Sequence, residues 1–151
     1  MQNTNYIDIR ISNAQVMGAV QRIASIEKKK IEQIKQEIAT TTYAIEGAAK
    51  RAAPTGGRGK FGGRLKTSIH SQLRADGLGG RVWVAAYYGP YQEFGTGDLV
   101  NVPAGWENFA IQFKGKGLRK VNIRAHHYLF DAWAMQSQIF LDRVKLIMEK
   151  P

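Results

Sequence analysis

The chain has 151 residues, 44% of them hydrophobic and 23% charged, which suits one folded domain able to bury its own core and excludes wholesale disorder. Cysteine is absent, which rules out disulfide scaffolds, Cys-bearing zinc sites, iron–sulfur clusters and thiol nucleophiles, and fits a protein made in a reducing cytoplasm. Lys and Arg outnumber Asp and Glu by 22 to 12, a formal charge of +10, so the expected partners are nucleic acid, an acidic protein face or an anionic surface.

In chain order, Tyr6–Ile11 alternates, with Ile7, Ile9 and Ile11 on one side and Asp8 and Arg10 on the other, which predicts a half-buried strand. Ser12 or Asn13 can cap a helix that follows. Val16, Val20, Ile23, Ile31, Ile34, Ile38, Ile45, Ala49 and Ala52 form one apolar stripe, so the helix is expected over about 13–53. At 1.5 Å per residue it would measure roughly 60 Å, longer than a compact body of this size. The mismatch predicts an overhang, a bend at the β-branched Thr40–Thr42, or packing against a second subunit. Pro54 ends the helix, and the ten residues from Pro54, PTGGRGKFGG, hold five glycines and form a loop over 54–63.

Leu65, Thr67, Ile69, Ser71 and Leu73 alternate with polar residues, Asp76–Gly80 supplies turn chemistry, and Arg81–Tyr88 is rich in residues that suit a pleated surface. Together they predict an antiparallel hairpin over 64–88. Gly89 and Pro90 break it, leaving at most one helical turn at Tyr91–Phe94 before Gly95 and Gly97. The glycines are expected to take positive φ and set Tyr91 and Phe94 against the sheet. Asn108–Phe113 and Leu118–Ile123 flank KGKG, which predicts a further hairpin within 98–124. Leu129, Trp133, Gln136, Phe140, Val144 and Ile147 then recur at helical spacing, giving a C-terminal helix over about 127–149. The fold class is therefore α+β, with two helices on one face of a small antiparallel sheet.

The same residues form no complete catalytic signature. The glycine-rich loop lacks the preceding strand and the Ser or Thr after Lys60 that a phosphate-binding loop needs. His126 and His127 are adjacent on a helix start, about 100° apart, and cannot share a metal. The carboxylates are scattered over separate elements, and no nucleophile elbow or paired zinc-binding histidines occur. No enzymatic activity, cofactor or metal site is expected. Basic residues, by contrast, cluster without acids: Arg58, Lys60, Arg64, Lys66 and Arg74 in one stretch, Lys114, Lys116, Arg119, Lys120 and Arg124 in another. They suit phosphates or an acidic partner through sequence-independent attraction, or simply a solvated positive face. Trp83, Tyr87, Tyr88, Tyr91 and Phe94 suit core or subunit contacts, or less readily the stacking of bases. No stretch of about 18 apolar residues exists, so no membrane span is expected. The start, MQNTNYIDIRIS, lacks the pattern of a signal peptide, so export by that route is not expected.

Two stretches together resemble a known family. AAKRAAPTGGRGKFGGRLKTSI (Ala48–Ile69) is similar to its pattern of helix end, Ala-Pro, Thr-Gly loop, Gly-Arg-Leu and Ser-Ile; AAYYGPYQEFGTG (Ala85–Gly97) is similar to its Tyr-Ala-x-Tyr followed by Glu-Phe-Gly-Thr-Gly. The family is the tail-completion, or neck, morphogenesis proteins of tailed bacteriophages. The chain departs from it in a longer loop after Ala-Pro, in His126-His127-Tyr128-Leu129 where Pro-Phe-Leu is frequent, and in 98–123, which has no counterpart.

The resemblance implies a non-enzymatic virion protein of the head–tail junction, made in the bacterial cytoplasm. It would form a homo-oligomeric ring, a hexamer or dodecamer, between the head connector and the tail-terminator or tail-tube proteins. Double-stranded DNA would pass through the lumen without sequence recognition. The candidate interface residues are Ile7, Ile9, Ile11, Ile31, Ile34, Ile38, Tyr91 and Phe94. Arg58, Lys60, Arg64, Lys66, Lys114 and Lys116 are the candidates for DNA or acidic-partner contact, and Pro54, Gly95 and Gly97 are turn residues. A stand-alone basic nucleic-acid-binding domain is the alternative, and a hydrolase or nuclease the third possibility.

Overall fold

Ile34, Ile38, Ile45 and Ala49 recur at multiples that keep one side of a helix apolar. In the computed structural model of the protein, which describes residues 8–10, 28–56, 63–110 and 122–150, that side is buried in helix α1, Lys28–Ala52. The remaining elements are strand β1 (Asp8–Arg10), a helical turn α2 (Arg64–Thr67), strands β2 (Ile69–Leu73) and β3 (Gly80–Val84), helix α3 (Gly89–Phe94), a 3-10 turn (Gly97–Leu99), a second short turn α4 (Glu107–Ala110) and helix α5 (Tyr128–Glu149). The fold is α+β: α1 and α5, antiparallel to one another, pack with a three-stranded antiparallel sheet of order β1-β3-β2.

The sheet turns one face to α1. Ile69, Val82 and Val84 are buried there with Ile45, Ala48 and Ala49, and Tyr128, Leu129 and Ala132 of α5 close the same core. A smaller cluster lies at the other end of the helix pair, where Ile34 and Ile38 meet Phe140, Ile147 and Met148. The opposite sheet face carries the alternate residues, with His70 opposite Trp83 and Gln72 opposite Arg81.

Several expectations change. α1 runs through Thr40–Thr42 without interruption: Thr42 Oγ1 donates to the Ile38 carbonyl at 2.7 Å, satisfying a buried hydroxyl inside the helix. The sheet leans on this point, because a Cβ added to Gly80 would fall 1.9 Å from Thr42 Oγ1. The helix therefore has a small side chain there to admit the strand. The expected extension over 13–27 lies outside the described residues, as do Ile7 and Ile11. Of the predicted first strand, Ile9 is placed opposite Val82 on β3.

Residues 64–67 are a helical turn, not the start of the hairpin strand. Leu65 and Ile69 are spaced by four as well as by two alternations, and the turn puts both into the core. Thr67 and Ser68 hydroxyls donate back to the carbonyls of Arg64 and Leu65, which favours that turn over an extended ladder. The strand beginning at Arg81 likewise stops at Val84, and Ala85–Tyr88 leads into α3, where Pro90 fits the first helical turn. In place of the first arm of the expected second hairpin, Glu107–Ala110 is a helical turn. Trp106 and Phe109 lie 6.4 and 5.9 Å from Phe94, ring to ring, so this segment covers the core beside α3. Residues 111–121 lie outside the description.

Candidate functional site

The two stretches that carry the resemblance come together in space. The Ala85 amide donates to the Ser68 carbonyl at 2.8 Å, prolonging the hairpin by one residue and setting α2 against the start of α3. Between them opens a cavity of about 530 Å³, lined by Arg64, Ser68, Ala86, Tyr87, Tyr88 and Gln92. A second cavity of about 180 Å³, which shares Tyr88 and Gln92, reaches Pro54 and Leu65. Pro54 follows the end of α1 as expected, with the Ala53 amide making the last helical bond to Ala49.

The acidic residue of the second stretch is the best buried charge-bearing group among the described residues. Glu93 is 1% exposed, and its two carboxylate oxygens accept the amides of Leu129 at 2.9 Å and Phe130 at 2.8 Å. Those amides open α5 and have no partner within the helix, so Glu93 caps α5 from a residue 36 positions away. Burial pushes the carboxyl up to about 7; the two amides act the other way, and the charge of Asp131 adds to the rise. Beside it the Tyr128 hydroxyl donates to the Gly89 carbonyl at 3.2 Å. Burial, then the charges of Glu93 and Tyr88, push that hydroxyl above the ordinary tyrosine range, so it stays protonated.

The glycines after Glu93 complete the junction. Gly95 and Gly97 have φ of 75° and 62° as expected, and a Cβ on Gly95 would sit 2.6 Å from the Leu99 carbonyl oxygen and 2.7 Å from that of Ile123. Thr96 exchanges hydrogen bonds with Ile123, its amide donating to the carbonyl and its hydroxyl accepting the amide, each at 2.9 Å. The His126 amide donates to the Gln92 carbonyl at 2.8 Å. The Glu-Phe-Gly-Thr-Gly run is thus a clasp that fastens α3 to the approach of α5.

The predicted interface residues fall differently from expectation. Ile34 and Ile38 are buried within the chain under α5, and Phe94 is buried against Trp106 and Phe109, so these three are core and cannot meet a second subunit. For Ile34 and Ile38 the cause is α5, whose own apolar stripe completes that of α1. Ile31 and Tyr91 are half-buried and pack on the same clusters. Arg64 and Lys66 are exposed on α2. Arg58, Lys60, Lys114 and Lys116 lie outside the described residues.

On the sheet face turned away from α1, Trp83 lies between His70, 5.6 Å away ring to ring, and the Arg81 guanidinium, 4.9 Å above the indole. This cluster was visible in the sequence only as alternating residues on two strands. Glu93 was visible only as one letter of a motif, because the α5 amides it serves follow a long intervening segment. Among the described residues no group of three His, Asp or Glu could hold a metal ion, and no helix is long and apolar enough to cross a membrane. Comparison of the chain with family models, with curated proteins and with solved structures gave no match.

Proposed function

We propose that this chain is a non-enzymatic structural protein of the phage neck. It assembles as a homo-oligomeric ring at the head–tail junction of the virion, between head connector and tail-terminator or tail-tube proteins, with DNA passing through the lumen. The observation that supports this most is the meeting of the two family-like stretches, whose residues line one groove. A formal charge of +10 suits a wall facing DNA or an acidic neighbouring ring. A head-to-tail contact repeated by rotation closes into such a ring. The test is co-sedimentation of the full chain with purified head-connector rings. Stable co-migration at a fixed ratio is expected; no association, with the chain monomeric throughout, overturns the proposal.

The Trp83 cluster favours a second reading, a basic nucleic-acid-binding domain, since an indole flanked by a guanidinium and an imidazole can stack on a base. That reading requires DNA affinity which falls steeply with salt and drops on Trp83→Ala; affinity indifferent to salt removes it.

A further inference from the structure

Among the described residues the sheet has two unpaired edges, and they fit one another. β1 and β2 each pair with β3 alone, both antiparallel, so they flank it running in the same direction. Backbone groups in an antiparallel ladder alternate between the two sides of a strand. The Ala85 amide on the Ser68 carbonyl at 2.8 Å and the Arg74 amide on the Gly79 carbonyl at 2.9 Å fix the phase. His70 and Gln72 therefore turn their backbone groups to β3, and Ser71 and Leu73 turn theirs away from the sheet. On β3 the alternate residues serve β1, so Ile9 exchanges bonds with Val82, and the backbone groups of Asp8 and Arg10 face outward at the far edge.

Nothing in β2 guards its edge. Ile69–Leu73 (IHSQL) has no lysine or proline and pairs with β3 without a bulge, the devices by which proteins blunt such strands. Beside it stands the flank of α1 that carries Glu46, whose carboxylate accepts the Ser71 hydroxyl. Tyr43, three residues earlier on that side of the helix, is 56% exposed, and tyrosine is enriched at subunit interfaces.

We infer that β2 of one copy pairs in parallel with β1 of the next, which joins the sheets of the ring into one. The inference rests on the ring proposal and names the contact from which the ring is built. In a parallel ladder, a residue whose groups point across bonds to the two neighbours of the residue opposite. With Ser71 opposite Ile9 of the next copy, the Ser71 amide donates to the Asp8 carbonyl, the Arg10 amide to the Ser71 carbonyl, and the Leu73 amide to the Arg10 carbonyl. The same register sets His70 opposite Asp8 and Gln72 opposite Arg10, which brings no like charges together. Pairing of β2 with β2 across a two-fold axis would leave β1 open, whereas head-to-tail pairing uses both edges of every copy and closes by rotation. Both long helices lie on one face of the sheet, so closure sets them outside and turns Arg81 and Trp83 inward. Six copies would supply about 18 strands, and barrels of about 16–18 strands leave an aqueous channel, the passage that the ring proposal requires.

The absence of cysteine makes the register testable by disulfide formation. Within one chain Asp8 and His70 lie on either side of Trp83, about 9–10 Å apart, too far for a disulfide, so a bond between cysteines at these positions links two copies. The full chain carrying Asp8→Cys with His70→Cys, and separately Arg10→Cys with Gln72→Cys, is oxidised and resolved by non-reducing electrophoresis, after a thermal melt under reducing conditions has matched wild type. A ladder of linked copies is expected from each pair that melts like wild type. An equal mixture of the Asp8→Cys and His70→Cys single variants should give the heterodimer as the main product. Asp8→Cys with Gln72→Cys is out of register by two residues, about 7–8 Å on the diagonal, and should give at least about tenfold less ladder. A ladder from this control equal to those of the matched pairs overturns the inference, as does a bond between copies of His70→Cys with Gln72→Cys, which would mean β2 against β2. In unmodified wild type, amide exchange at Ser71 and Leu73 should slow at least about tenfold on assembly, while His70 and Gln72 stay protected throughout. If wild type forms rings yet exchange at Ser71 and Leu73 is unchanged, or a well-folded matched pair does not cross-link, this inference fails and the ring proposal stands. If wild type never associates, both fail.

Discussion

Glu93→Gln isolates the balance that holds α3 to α5. In the native chain two forces act on the carboxylate: burial opposes its charge, and the two α5 amides favour it. Burial dominates, placing the group at about 7 against an ordinary value of 4.5. A carboxyl that holds its proton more tightly folded than unfolded adds stability at low pH, in full below the unfolded value. That contribution is lost as pH rises through the folded value. At about 1.4 kcal/mol per pH unit, the interval from 4.5 to about 7 corresponds to about 3 kcal/mol. Glutamine does not titrate, but its amide accepts only one of the two α5 N–H groups, a fixed cost of about 1–3 kcal/mol. Urea unfolding of both proteins at several pH values between about 4 and 8 reads the difference, and groups common to both cancel. Wild type should exceed Glu93→Gln by most at the acid end, and its lead should shrink by about 3 kcal/mol toward pH 8. A difference that is flat, or that grows with pH, would refute the reasoning and mean that the helix amides outweigh burial.

The remaining predictions concern packing and charge. Ile38→Ala, at a fully buried position between α1 and α5, should cost about 2–5 kcal/mol in chemical unfolding, and a loss below about 1 kcal/mol would contradict the helix pairing. Gly80→Ala should lower the melting temperature sharply, because the new methyl meets Thr42, whereas Gly56→Ala, with open space around it, should be close to neutral. Gly95→Ala combines a positive φ with backbone oxygens under 3 Å away and should destabilise by about 2 kcal/mol or more, loosening the approach to α5 as read by hydrogen exchange at Leu129 and Phe130. Glu46 runs opposite to Glu93. Burial raises it, but hydrogen bonds from Lys50 and Ser71, with the charges of Lys50 and His70, outweigh burial and hold it below the ordinary range. Its contribution should be present above that range and fade as pH falls through the lowered value, so Glu46→Gln should narrow its gap to wild type at acid pH.

Periodicity carried the helices well, because a stripe buried against one neighbour repeats every three to four residues whatever that neighbour is. The fold class and the end of α1 at Pro54 were legible for that reason. The stripe could not tell which surface covers it: the sequence alone fits Ile34 and Ile38 equally to a second subunit or to α5, and the structure puts α5 there. Leu65 shows the same limit at short range, since alternation and a spacing of four coincide, and only the back-bonding of Thr67 and Ser68 decides for a turn. Thr40–Thr42 suggested weakness by propensity, yet tertiary contact with Gly80 makes a small residue useful at that level. The groove and the clasp depend on pairs such as Glu93 with Leu129 and Ser68 with Ala85, whose partners no local pattern announces. Their residues stood out only as motif letters.

The central claim is that copies of this chain close into a ring. Native mass spectrometry of the full chain, alone over a range of concentrations and together with connector rings, measures that directly. The account predicts one closed stoichiometry, six or twelve subunits, with no open series beyond it. A monomer under every condition, or filaments of unlimited length, would contradict it.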